Sequence, residues 1–184
     1  ETGFYLASTL VPSSSVTIRG FLDLFRFPWL RYRVDTPSTG LEYGISAQWN
    51  PGYLFNVALR LTGKHNVLNY PSDDFTVVRQ THSVVTRTYQ LSIGWNVSPM
   101  LNITCRADIK DYKRLTSSPL AGYCLSNELR WNPDHFINTC VLRFSCFDIP
   151  GFDTRIYQYE PEVLYGYSVP AYQGRGLRSV SVIK

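Results

Sequence analysis

The residues of this 184-residue chain with chemistry to offer are three histidines, four cysteines and a set of regularly spaced charges. The histidines are His65, His82 and His135, and His82 is followed at once by Ser83. Neighbouring residues of an extended strand point to opposite faces, so His82 and Ser83 form no local base and nucleophile pair. Cys105, Cys124, Cys140 and Cys146 match neither the paired CxxC spacing of a zinc site nor a compact disulfide framework. Parity puts Cys105 on the apolar face of its segment and Cys124 on the polar face of the next, which argues against a bridge and for small buried hydrophobes. Gly174 and Gly176 around Arg175 lack the third glycine and the strand-to-helix context of a phosphate-binding loop. The expectation is a protein that is not an enzyme, with no cofactor and no metal.

The charges are more regular than the nucleophiles. Arg60, Arg106, Asp108, Glu128 and Arg130 all fall on the polar parity of segments whose alternate residues are apolar. Between positions 53 and 64 the odd residues read Tyr53, Phe55, Val57, Leu59 and Leu61, while the even ones include Asn56, Arg60, Thr62 and Lys64. The same rhythm returns at 41–49, 88–95, 101–110 and 123–131, with Asn127 the one exception in the last. Side chains of a strand alternate between its faces, so each segment has one greasy and one ionic side. That pattern suits a closed barrel with lipid outside and an ion-pair lattice of these five charges inside.

Composition agrees. The chain is 44% apolar, 15% aromatic and 17% charged, with a net charge of +4. No run approaches the ~18 consecutive apolar residues of a spanning helix, a test that barrel strands escape. The basic residues are dispersed, without the stripe that a nucleic-acid surface needs, so no nucleic-acid partner is expected. The first residues lack the basic and apolar regions of a secretory leader.

The periodicity predicts extended segments at 4–10, 16–27, 29–35, 41–49, 53–64, 76–95, 101–114, 123–131, 136–147 and 154–169, with a further strand at 176–184. Asn50-Pro51-Gly52, Ser98-Pro99 and Asn132-Pro133-Asp134 make short turns, whereas 64–74 and 115–119 are longer loops. Trp49, Tyr53, Trp95, Trp131 and Phe136 flank the short turns. Aromatic rings at strand ends are what a membrane interface favours, and these five are read as interface aromatics.

Two stretches also carry a resemblance. FDIPGFDTRIYQYEPEVLYGYSVPAYQGRGLR, residues 147–178, and RFPWLRYRVDTPSTGLEY, residues 26–43, resemble a family of Bacteroidota outer-membrane β-barrels, often the C-terminal part of proteins that begin with helix-hairpin-helix repeats. The matching positions include Asp153, Arg155, Tyr157, Glu160, Gly174, Gly176 and Arg178. The resemblance implies an outer-membrane location in a Gram-negative bacterium and no assigned chemistry. No helix-hairpin-helix region is present and the chain ends without the terminal aromatic residue of such barrels, so a fragment is expected. On the matched residues, Asp153, Arg155 and Glu160 are expected near the start of one strand, with Arg155 between two carboxylates fixing register. Gly174 and Gly176 allow a tight turn or a close approach.

The sequence therefore predicts a single all-β domain over residues 1–184: an antiparallel transmembrane β-barrel of about ten or more strands, whole or in large part. Its role is non-catalytic, as a structural, scaffold or pore-like component. Its partners are outer-membrane lipid, other envelope proteins or a missing part of its own chain. The alternative is a secreted soluble β-barrel or sandwich that binds a small apolar ligand or a protein, with which the sequons at Asn96 and Asn102 would agree.

Overall fold

The computed structural model describes residues 2–69, 80–114, 118–133, 139–163 and 166–183. The chain is all-β. Eight successive strands, β1 (Thr2–Ser13), β2 (Val16–Phe27), β3 (Ser38–Trp49), β4 (Phe55–Asn69), β5 (Thr81–Ser98), β6 (Leu101–Arg114), β7 (Leu120–Trp131) and β8 (Cys140–Ile149), form one antiparallel meander. After an irregular stretch with the two-residue strands β9 (Ile156–Tyr157) and β10 (Ala171–Tyr172), β11 (Gly174–Ile183) joins the sheet beside β8. The order of the nine strands is β1-β2-β3-β4-β5-β6-β7-β8-β11, and β1 and β11 are its two edges. β1 is exposed along its whole length.

Register follows from the alternation, because a slip of one residue would reverse every side chain. Arg60 pairs with Ser46 and Gln90, and Asp108 with Gln90 and Cys124. The polar parity of each strand thus joins its neighbours on one continuous concave face. Aromatic–glycine pairs help the strands lie close; in two of them the Tyr43 ring covers Gly63 and the Phe147 ring covers Gly176. A side chain at either glycine would collide with the ring, the arrangement by which an aromatic neighbour stabilises a glycine in a sheet.

Two expected strands are absent. Residues 29–35 form a turn, closed by hydrogen bonds from Arg31 N to Val34 O (3.2 Å) and from Val34 N to Arg31 O (2.9 Å), with Arg33 at φ 65°. The reason is geometric. β2 and β3 pair directly up to Phe27 and Ser38, so residues 28–37, which hold Pro28 and Pro37, are left as the connection. The described residues of 154–169 also form no long strand. Phe152–Thr154 is a single 3-10 turn, β9 pairs only with β10, and a lone bridge links Glu160 to Ser168. Pro161 and Gly166 interrupt any ladder there. The segment instead folds against the concave face.

Candidate functional site

The concave face is lined by the polar parity and is the less exposed of the two. On β8, Arg143 is 6% exposed while the adjacent Phe144 is 63% exposed. On β7, Gly122, Cys124 and Ser126 are buried, whereas Tyr123, Leu125, Leu129 and Trp131 are exposed. On β5, Leu91, Ile93, Trp95 and Val97 are exposed and the residues between them less so. A water-soluble protein buries its apolar parity. Here the polar parity is for the most part the enclosed one; β11 departs, with Val180 and Val182 inward and Ser179 and Ser181 outward, and β8 and β2 also turn apolar residues inward, Val141 and Ile149 on the parity of Arg143 and Phe21 and Phe25 on that of Arg19.

Half of the concave face is filled by the chain itself. Residues 150–163 and 166–173 lie over β6, β7, β8 and β11, and their buried Thr154, Ile156 and Tyr172 pack with Cys124, Ile149 and Phe147. The polar core of this half centres on Asp108, which is 1% exposed. Arg106 donates to it through two nitrogens, at 2.8 and 3.0 Å, and the Gln158 amide donates to the same carboxylate. Gln158 in turn accepts from Arg143 at 3.1 Å, and Arg143 also donates to Ser126 Oγ and to the Tyr159 carbonyl. A buried carboxylate persists only with its lone pairs engaged, and Gln158 completes that requirement from the infolded segment.

The infolded segment is fastened at three further points. Arg178 of β11 grips Glu160 with two hydrogen bonds, at 2.6 and 2.8 Å, and Tyr172 donates to the same carboxylate at 2.7 Å. Burial opposes ionisation of Glu160, but the bonds from Arg178 and Tyr172 outweigh it and hold its carboxyl below the usual range. Arg114 pairs with Asp153 at 3.0 Å, and Lys110 donates to the Arg155 carbonyl at 3.2 Å. The expected Arg155 bridge between two carboxylates does not form. Asp153 pairs with Arg114 and Glu160 with Arg178, while Arg155 lies over the Phe152 ring and bonds to the exposed Tyr157. Gly174 adopts φ 82°, a left-handed conformation that favours glycine, at the bend into β11, and Gly176 faces Phe147.

The other half is open. β1 to β6 line a cavity of about 500 Å³ into which Arg19, Arg60 and Arg106 face. Of the five charges expected to form a lattice, Arg106 with Asp108 and Arg130 with Glu128 are neighbouring pairs. Arg60 stands apart on the open side, its cross-strand partners being Ser46 and Gln90.

The outward face carries the expected aromatics. Trp49, Tyr53, Trp95 and Trp131 are exposed at the short-turn end, and Phe55 stacks on Trp95 at 5.9 Å. Phe136 and His135 lie outside the described residues. A second set was missed in the sequence. Tyr43, Tyr89 and Tyr123 share the outward parity with Trp49, Trp95 and Trp131 of the same strands, about 20–27 Å away along the strand at ~3.4 Å per residue. Beyond the tyrosines the outward face turns polar, with Arg87, Asp111 and Lys113, and with His65 bonded to Ser83. All four cysteines are free, Cys124 buried and Cys105 exposed. No group of three or more metal-binding side chains occurs among the described residues.

The fold and this face define the protein as an all-β chain built on one nine-stranded antiparallel sheet. No family model, curated protein or solved structure matches it.

Proposed function

We propose that the sheet is the wall of a transmembrane β-barrel in the outer membrane of a Gram-negative bacterium, with a structural, scaffold or pore-like role and no catalysis. The observation that carries this reading is the inverted burial of β6, β7 and β8: Ile109, Leu125 and Phe144 stand outward and exposed while Asp108, Ser126 and Arg143 are enclosed. An outward apolar surface continuous over so many strands is far larger than a soluble monomer tolerates in water. Hydrocarbon is the solvent that suits it. The two aromatic levels, tryptophan at the short turns and tyrosine further along, support the same placement, since girdles of this kind flank the apolar band of outer-membrane barrels.

The resemblance of residues 26–43 and 147–178 to Bacteroidota barrels favours the same compartment. Closure requires the free edges of β1 and β11 to meet each other or further strands, as exposed edges are otherwise sites of aggregation. The soluble alternative is less favoured. A sandwich buries its apolar parity between two stacked sheets, and the second sheet among the described residues has only two strands of two residues each.

Lipid vesicles decide between them. The chain should need detergent to remain monomeric, and Trp49, Trp95 and Trp131 should be quenched by brominated lipids once it is reconstituted. Leu59→Arg should block insertion, because a charge on the lipid side costs roughly 2–4 kcal/mol at mid-bilayer, while Arg60→Leu leaves insertion intact. A detergent-free monomer, or equal insertion of the two variants, refutes the membrane reading.

A further inference from the structure

Arg19 and Arg60 differ from the other cations of the concave face. Lys64 is held by Glu42 at 2.8 Å, Arg106 by Asp108, Arg130 by Glu128 and Arg178 by Glu160. Lys110 and Arg143 donate to backbone carbonyls of the infolded segment. Among the described residues, Arg19 and Arg60 have no carboxylate within ion-pairing distance and no side-chain hydrogen bond. They nevertheless stand together, in the single cross-strand row Arg19–Ser46–Arg60–Gln90. Two strand spacings of ~4.8 Å separate their backbones, close enough for both guanidinium groups to reach one ligand.

The cavity they share explains what they are arranged to meet. Its lining of about 500 Å³ holds Arg19, Arg60 and Arg106, the amides of Gln48 and Gln90 and several hydroxyls, and no carboxylate. The charge of Arg106 is already balanced by Asp108, so the cavity carries an uncompensated excess from Arg19 and Arg60. A cleft with one sign of charge focuses its field and concentrates counter-ions. Guanidinium presents planar paired donors that match the oxygens of a phosphate two at a time. The amide and hydroxyl groups add donors of the kind that complete a small-molecule site, and the volume exceeds a bare phosphate.

We propose that the open half of the concave face is a binding site for phosphate-bearing solutes, gripped by Arg19 and Arg60. On the barrel reading this site lies in the lumen, where it would favour anions; the binding itself does not depend on closure or on lipid. Phosphate could be presented free or as a monoester, and the ligand's phosphate group is the part recognised.

The test is an equilibrium titration of the full chain in detergent micelles at constant ionic strength, read by isothermal titration calorimetry, with three probes: inorganic phosphate, a sugar phosphate and the same sugar unphosphorylated. Saturable binding of the phosphate-bearing probes is expected, with the bare sugar inert. Arg19→Gln and Arg60→Gln should each weaken it roughly tenfold or more, as expected for the loss of a charged hydrogen-bonding group. Arg130→Gln, at the far side of the face, should leave it within about twofold. A paired Arg19→Lys, Arg60→Lys variant should retain part of the affinity, and its circular dichroism checks the fold. Wild-type affinity in the glutamine variants, or a non-saturating response equal to that of chloride, overturns the proposal. Binding by a chain that proves soluble without detergent would sink the membrane reading and leave this site standing, and an inserted chain that binds no phosphate would do the reverse.

Discussion

The two halves of the concave face share a sheet, a parity and a mixture of charges, yet they solve the problem of enclosed polarity differently. Over β6, β7, β8 and β11 the infolded segment supplies Gln158 and Glu160, so that Asp108, Arg143 and Arg178 find partners within the chain. Over β1 to β5 none of the described residues is folded inward over Arg19 and Arg60, which face an open cavity. A polar strand face is thus not one kind of surface. It becomes a core where the chain returns to cover it, and a site for water or solute where it does not.

The contrast can be broken at Asp108 first. Asp108→Ala leaves Arg106 and Gln158 facing an uncompensated gap, and removing one partner of a buried pair typically costs about 3–5 kcal/mol. Urea unfolding of the refolded chain in micelles should register that loss. A value near zero would mean the filled half is no core.

The outward face should ignore the division. Leu125→Arg behind the filled half and Leu59→Arg behind the open half should each cost roughly 2–4 kcal/mol of insertion into vesicles. If only one of the two impairs insertion, the apolar band does not span both halves.

Smaller effects concern the fastening of the infolded segment. Glu160→Gln keeps the shape but weakens the grip of Arg178, which is half exposed, so about 1 kcal/mol is expected. The same carboxyl makes the segment sensitive to acid. Its value in the folded chain lies below that in the unfolded chain, so its contribution is complete above the ordinary carboxyl range and is lost as the pH falls through the depressed value. Arg178, Tyr172 and Arg143 are the charged or titratable groups around it. Hydrogen exchange over residues 156–172 should accelerate at acidic pH in the wild type, and Glu160→Gln should flatten that response. An unchanged profile would place the acid sensitivity elsewhere.

Least of all should stability notice Arg60→Gln. An exposed side chain away from any partner usually contributes within about 0.5 kcal/mol. A large loss in the same urea assay would show that Arg60 belongs to a network and that the open half is not open.

Much of the sheet was legible because its signal is local. Residues 16–27 and 101–114 were read as strands with the limits that β2 and β6 have, and the parity of Asp108 and Arg60 places both on the concave face as expected. The reading failed where alternation was weak. Residues 29–35 and 154–169 contain β-forming residues, but the prolines beside and within them and Gly166 remove ladder positions, and composition alone did not show that. Gln158 escaped notice because nothing in its neighbours marks it as buried. Its role depends on Asp108, fifty residues earlier in the chain.

The amino-acid order determined on its own that strands would form, which side of each is apolar and where the short turns fall, since a period of two and the chemistry of proline and glycine act between near neighbours. Only the tertiary structure decided which charges meet. Asp108 could have paired with any arginine of its face until the segment that carries Gln158 turned inward to cover it, and Arg19 and Arg60 became neighbours only through a register set across three strands. Those contacts join residues distant in the chain, where no pattern in the sequence reaches.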